Sequence, residues 1–333
     1  MRFISPARLA AAGLIVLGAA AFILWLAPAD GYDIRLVDPA HPVAPLVQLP
    51  KEKPARGGGA IYFVDVRERP ARLIERIFPW TRAEGSSLVR SPPISTALER
   101  SIGRQDMTDS QKIAAVVALG HLGYDVRALV GGISVLLVDK DAPAAKVLRP
   151  GDVIVAAAGR KVRSVSSLRR VLAGRRPGEA VTISFRRGRK IRRATLRTVA
   201  DPENRKRAII GISAEDQIQV KLPFPVKIDA EGIGGPSAGL AFALDILQEL
   251  GRNVAHGQKV AATGQLALNG SVGPIGGVKQ KTLGARRAGV DVFLVPAGEN
   301  AREARRYAGD LPVVPVKNFP QALQALATTE AKT

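Results

Sequence analysis

The 333-residue chain has no cysteine and only three histidines, His41, His121 and His256. The first absence excludes disulfides and thiol catalysis. The second makes a Ser-His-Asp or Cys-His site hard to assemble, because none of the three sits in a nucleophile setting. Aromatic residues are scarce where charge is densest. Residues 160–207 hold seventeen Lys/Arg against three acids (Glu179, Asp201, Glu203), with Phe185 as the single aromatic. A net charge of +20 thus comes without the stacking rings of a nucleic-acid surface. Solvated basic faces attracted to anionic surfaces are the better reading, with no nucleic-acid partner. No GxxxxGK[ST] phosphate loop is present, so the chain as given carries no nucleotide-driven motor of that kind. No pattern calls for a cofactor or a metal. What remains is enough apolar material, 46%, for roughly two packed domains.

The N-terminal pattern reads as an address. Arg2 and Arg8 precede an apolar run over residues 9–27, near the length of a membrane helix. Arginines before the run and Asp30 and Asp33 after it predict a single-pass anchor in the bacterial cytoplasmic membrane, with the body on the extracytoplasmic side. Ala27-Pro28-Ala29 gives a rival reading as a cleaved signal sequence. Residues 1–29 are taken as that anchor, and residues 30–59, with Pro39, Pro42, Pro45, Pro50 and Pro54, as a juxtamembrane linker. Residues 60–66 read as a strand, 71–78 as a short helix and 108–122 as a helix capped by Thr108 or Ser110. Residues 60–124 would then pack with the domain that follows the middle of the chain.

Two glycine-rich segments carry the chemistry. Gly232-Ile233-Gly234-Gly235-Pro236-Ser237-Ala238-Gly239 precedes a helical run through Leu250. Gly273-Pro274-Ile275-Gly276-Gly277-Val278-Lys279-Gln280-Lys281 precedes another, over 278–288. A serine hydroxyl is a weak nucleophile without a base, and a neutral lysine amine can serve as one. Ser237 would lie at the positive end of a helix behind a flexible turn, where backbone N–H groups can hold an oxyanion. Lys279 would need desolvation, by Val272, Ile275 and Val278, to be neutral. Lys281, two positions on, faces elsewhere on a helix. Between the segments, 259–264 reads as a buried strand, and Asn269-Gly270 as a hairpin turn.

These segments resemble the proteolytic domain of Lon-type Ser-Lys peptidases, in which GPSAG carries the nucleophile and PIGG-hydrophobe-Lys the base. The resemblance continues through Lys281-Thr282-Leu283, Gly289-Val290, Phe293-Leu294-Val295-Pro296 and Glu299-Asn300. It selects Ser237 and Lys279 as the catalytic pair. Thr263-Gly264-Gln265 replaces the family's usual TGE, and Gly234 stands where an acidic residue is frequent. Residues 221–228 read as an extended edge strand, since Pro223 and Pro225 cannot donate to a ladder. Candidate substrate- and oxyanion-binding residues are Gly234, Gly235, Pro236, Val226 and Thr263.

Residues 125–200 resemble a PDZ domain: Leu148-Arg149-Pro150-Gly151-Asp152-Val153-Ile154 matches the bacterial signature of that family. Gly131, Gly132 and Ile133 are the nearest candidates for its ligand groove. The combined expectation is an α+β chain: an N-terminal transmembrane helix, a β-rich PDZ-like domain and a Lon-type proteolytic domain over 201–330. The resemblance implies an ATP-independent serine endopeptidase acting on unfolded exported or membrane-associated polypeptides, with substrate capture by the PDZ domain. By analogy alone it implies a hexamer. The alternative is an inactive scaffold or chaperone that binds exported chains.

Overall fold

The computed structural model describes residues 6–50, 57–92, 96–201, 204–230 and 232–328. Helix α1 (Pro6–Leu26) leads directly into the strand Pro28–Val37. That strand is the centre of a three-stranded antiparallel sheet, between Val66–Arg72 and Ser87–Arg90. Its own small core is Ala29, Ile34 and Ala71. Residues read from sequence as the start of a spacer are therefore a structural strand. Helix α2 (Leu73–Ile77) closes this unit. Its carboxylate Glu75 takes a two-pronged bond from Arg69.

The expected transmembrane helix is not borne out. Among the described residues no helix is long and apolar enough to cross a membrane. The end of the apolar run is built into protein instead. The guanidinium of Arg72 lies 4.3 Å over the ring of Trp25, and the Ala27 carbonyl accepts the Leu73 N–H at 2.8 Å.

Helix α3 (Thr96–His121) begins a dozen residues before the helix expected over 108–122. Its first half lacks an apolar period. The chain then enters a sheet of order Lys190–Arg197, Ala180–Arg187, Val153–Ala157, Arg127–Val138, Ile212–Lys221. Helix α4 (Val165–Ala173) packs on it, capped by Ser164, whose hydroxyl accepts from Ser167 N at 3.2 Å. Ile133, Leu148, Ile154, Leu168, Ile183 and Phe185 form a separate core here. In the Leu148–Ile154 motif, Asp152 is buried and accepts the Arg149 N–H and both prongs of Arg187.

The last unit is built on a sheet of order His41–Pro42, Ala60–Phe63, Lys259–Ala262, Val292–Pro296, Val313–Val316, whose last four strands are parallel. Helix α5 (Gly239–Glu249) and α3 share the larger core on one face with α8 (Phe319–Thr328). Helices α6 (Val278–Arg287) and α7 (Glu299–Tyr307) border a second core on the other. A parallel sheet buried on both faces needs crossover helices, so the architecture is mixed α/β rather than the expected α+β. A hairpin forms at Asn269-Gly270 with Gly270 at φ +78°, but Leu266 pairs with Val272 and Ala267 N bonds the Ser271 carbonyl at 2.9 Å, so its loop is three residues, 268–270, rather than two.

Candidate active site

Ser237 sits in the turn just before α5, not inside it; Ala238 is the N-cap. The turn is held from two sides. From α3, the Gly103 carbonyl accepts the Gly235 N–H at 2.8 Å, and the Ser110 hydroxyl donates to the Pro236 carbonyl at 3.2 Å. From the 259–264 segment, the Ser237 carbonyl accepts Gly264 N at 2.8 Å and Thr263 Oγ1 at 3.2 Å. Gly235 has φ +88°, a region closed to most side chains.

The structure brings Ser237 together with Lys281. Lys281 Nζ lies 2.6 Å from Ser237 Oγ and 3.5 Å from Thr263 Oγ1. Lys281 is 4% exposed, and burial pushes its pKa down to about 8; Asp65 opposes that shift and Arg35 reinforces it. Lys279 lies elsewhere: its ammonium reaches the Ser86 carbonyl at 3.3 Å and the Tyr307 ring at 5.6 Å. The reason is helical register. α6 begins at Val278 behind Gly277 in the left-handed region. Val278, Lys281 and Ala285 share its buried face at spacings of three and four, and Lys279 is turned away from it. A lysine on an apolar stripe is the signal that could have singled out Lys281.

The other expected residues separate. Gly234, Gly235 and Pro236 line the cavity with Ser237. The Gly235 N–H is committed to Gly103, however, and Pro236 has none, so neither can donate to an oxyanion. Among the described residues the Ser237 N–H has no partner. Thr263 is fully buried and holds the Ser237 carbonyl and Lys281, rather than facing substrate. Val226 packs against the main core and does not line the cavity. Of the strand expected over 221–228, Lys227–Ile228 forms a two-residue ladder, and its partner is Val47–Gln48 of the same chain. Gly131, Gly132 and Ile133 are interior to Arg127–Val138, which lies between two neighbours; Ile133 pairs with both Asp216 and Ile154. Of the sheet's two outer strands, Lys190–Arg197 and Ile212–Lys221, the second lies beside α4.

The cavity holds about 1120 Å³. Sequence reasoning missed one of its walls, made by the strands Pro28–Val37 and Val66–Arg72. Asp65 also lines it, with its Oδ1 buried and unpartnered. Burial and then Asp38 raise the Asp65 pKa, while His41 and Lys281 counter. Asp38, His41 and Asp65 each offer a ligand atom within 4.8 Å of the others. Asp38 already accepts Arg67 at 3.1 and 3.3 Å and lies 3.4 Å from His41, so the cluster reads as an ion-pair network.

Comparison with known proteins matches both halves. Residues 195–327 fit the family model of the Lon protease (S16) C-terminal proteolytic domain, and residues 120–198 that of the PDZ domain. The Lon protease of Rickettsia bellii is 34% identical over 125 residues, 36% of this chain and 16% of that protein. Lon protease 1 of Sorangium cellulosum is 47% identical over 68 residues, 20% of this chain and 8% of that protein. The Escherichia coli K12 Lon protease is 39% identical over 93 residues, 27% and 12%. Among solved structures, the PDZ domain of an SdrC-like protein from Listeria monocytogenes aligns at 29% identity and TM-score 0.24, over 25% of this chain and 87% of that one. The matched stretches span a fifth or less of these Lon proteases' length. With both modules matched in order, the chain carries a PDZ domain followed by a Lon-type serine peptidase domain.

Proposed function

We propose that this chain is a serine endopeptidase in which Ser237 is the nucleophile and Lys281 the general base, acting on unfolded polypeptides without nucleotide. The observation that carries it is the 2.6 Å contact between a buried lysine of lowered pKa and a serine hydroxyl, both lining a large cavity. Neutral Lys281 takes the Ser237 proton as Oγ attacks the peptide carbonyl. The developing oxyanion accepts the free Ser237 N–H. Collapse of the tetrahedral adduct breaks the C–N bond, and Lys281 gives its proton to the leaving amine. Water then attacks the acyl-enzyme, Lys281 takes its proton and returns it to Ser237 Oγ, and the acid product departs. Thr263 keeps the lysine aimed at Ser237.

The PDZ module supports substrate capture through a strand added at the edge of Ile212–Lys221, with α4 as the opposite wall. Its backbone donors read any extended segment, which fits an enzyme for unfolded chains. The test is cleavage of an unfolded polypeptide by the full chain with no ATP. Ser237→Ala and Lys281→Gln should each lower kcat/KM by about a hundredfold or more, and Lys279→Gln by less than about threefold. Wild-type turnover by both Ser237→Ala and Lys281→Gln would overturn the assignment.

A further inference from the structure

We infer that Ser110 on α3 is a positioning residue that aims the Ser237 amide at the developing oxyanion. The inference rests on the peptidase reading above. It starts from a peptide plane: the Pro236 carbonyl and the Ser237 N–H belong to one trans unit and point in opposite directions. The Ser110 hydroxyl, 3% exposed, donates to that carbonyl at 3.2 Å. Drawing the carbonyl toward α3 turns the Ser237 N–H away from α3. The next unit is fixed too, since the Ser237 carbonyl accepts Gly264 N and Thr263 Oγ1. Two units back, the Gly234–Gly235 peptide is fixed by Gly235 N on the Gly103 carbonyl.

The peptide units before and after Ser237 are thus each held through their carbonyl by partners far away in sequence, and the N–H of the first, the Ser237 amide, is left without a partner among the described residues. Proline at 236 narrows the remaining freedom by locking its own φ. A donor held in place before reaction costs no reorganisation when charge develops. Ser110 touches neither substrate nor the reacting atoms. Its effect on the reaction runs through the orientation of one N–H.

The experiment compares Ser110→Ala with wild type on a peptide substrate. Expected is a roughly 10- to 100-fold loss in kcat with KM within about twofold. Affinity for a peptide aldehyde, whose adduct on Ser237 carries the same oxygen, should weaken by a matching factor. The pH midpoint of activity, set by Lys281, should not move. A kcat and aldehyde affinity both within about twofold of wild type would overturn the inference, as would a loss accompanied by a shifted pH midpoint. Should Ser110→Ala fail to fold, Ser110→Cys keeps the volume with a weak donor. It should show the same split at smaller size, and full activity there would overturn the inference. Ser237→Ala is run alongside. If it is as active as wild type, the peptidase reading itself fails; if it is inactive while Ser110→Ala is unimpaired, only this inference fails.

Discussion

At the scale of single residues, buried ionisable groups set the pH behaviour. Lys281 must be neutral to act, and its pKa lies near 8. The pH profile of kcat/KM should therefore rise with a midpoint at about pH 8 and level off above it. A midpoint above 10, the ordinary lysine range, would mean the lysine titrates in the open. Asp245 is a second such group, in α5 within the larger core, 1% exposed and with Oδ2 unpartnered. Burial, then Glu249, pushes its pKa up to about 8. A carboxyl raised in the folded state costs stability as pH rises from the unfolded value to the folded one. Asp245→Asn should raise stability at pH 8, on the order of 1–2 kcal/mol, and leave it unchanged near pH 3.5. Denaturant melts at both pH values measure this; an equal effect at both would show that the charge is not the cause.

The same scale shows what the sequence could tell. Ser237 was legible because its glycine-rich setting, the following helix and the motif all agree. The lysine was not, because two lysines two positions apart lie on different helix faces, and which face is inward depends on where the helix begins. The serine of α3 was legible only as a cap. Its hydroxyl bonds a carbonyl 126 residues away, and no local pattern encodes that.

At the scale of elements, α3 is the joint of the molecule. One face holds the Ser237 turn, and another meets the PDZ sheet at Ile212–Lys221. Glu215 in that strand has a buried, unpartnered Oε1. Its pKa is raised to about 7 by burial first, then by Asp106 and Asp109, with Lys112 opposing and Asp216 adding. Asp106 is itself raised, by burial and Asp109, while Asp109 accepts Lys112 at 2.8 Å and Gln105 at 3.1 Å. Since folding raises the Glu215 pKa, the docking it supports is complete below about pH 4.5 and weakens as pH rises to 7. Hydrogen exchange of residues 212–221, corrected for intrinsic rates, should show less protection at pH 8 than at pH 5. Glu215→Gln should abolish the difference; its persistence in that variant would move the cause elsewhere. The elements themselves were mostly readable from period and caps. The strand Pro28–Val37 was not, because it fully buries just Ala29 and Ile34, with Tyr32 and Leu36 half-buried beside them, too little to stand out next to a proline-rich stretch.

At the scale of the whole molecule, charge is distributed unevenly, and this bears on which chains arrive. The basic stretch over 160–207 falls on the PDZ module, and many of its arginines and lysines stand in solvent, as on the strand Lys190–Arg197. Among the described residues Asp152 pairs with Arg187, Asp201 with Arg207 and Glu179 with Arg175. Lys190–Arg197 and Ile212–Lys221 are opposite outer strands of one sheet, about 19 Å apart, so the field of the basic stretch reaches that edge at low ionic strength, where it extends about 30 Å, and there biases encounter toward acidic segments. Two versions of one unfolded substrate, differing only in an appended run of Glu or Gln, separate this effect from cleavage chemistry. The Glu version should have the higher kcat/KM at low salt, by roughly three- to tenfold, and lose that advantage as salt is raised, with kcat unchanged for both. Charge reversal at Arg192 and Arg193, exposed on Lys190–Arg197, should shrink the preference without altering cleavage of the Gln version. Equal kcat/KM for the two substrates at low salt would show that the basic surface serves solubility rather than capture.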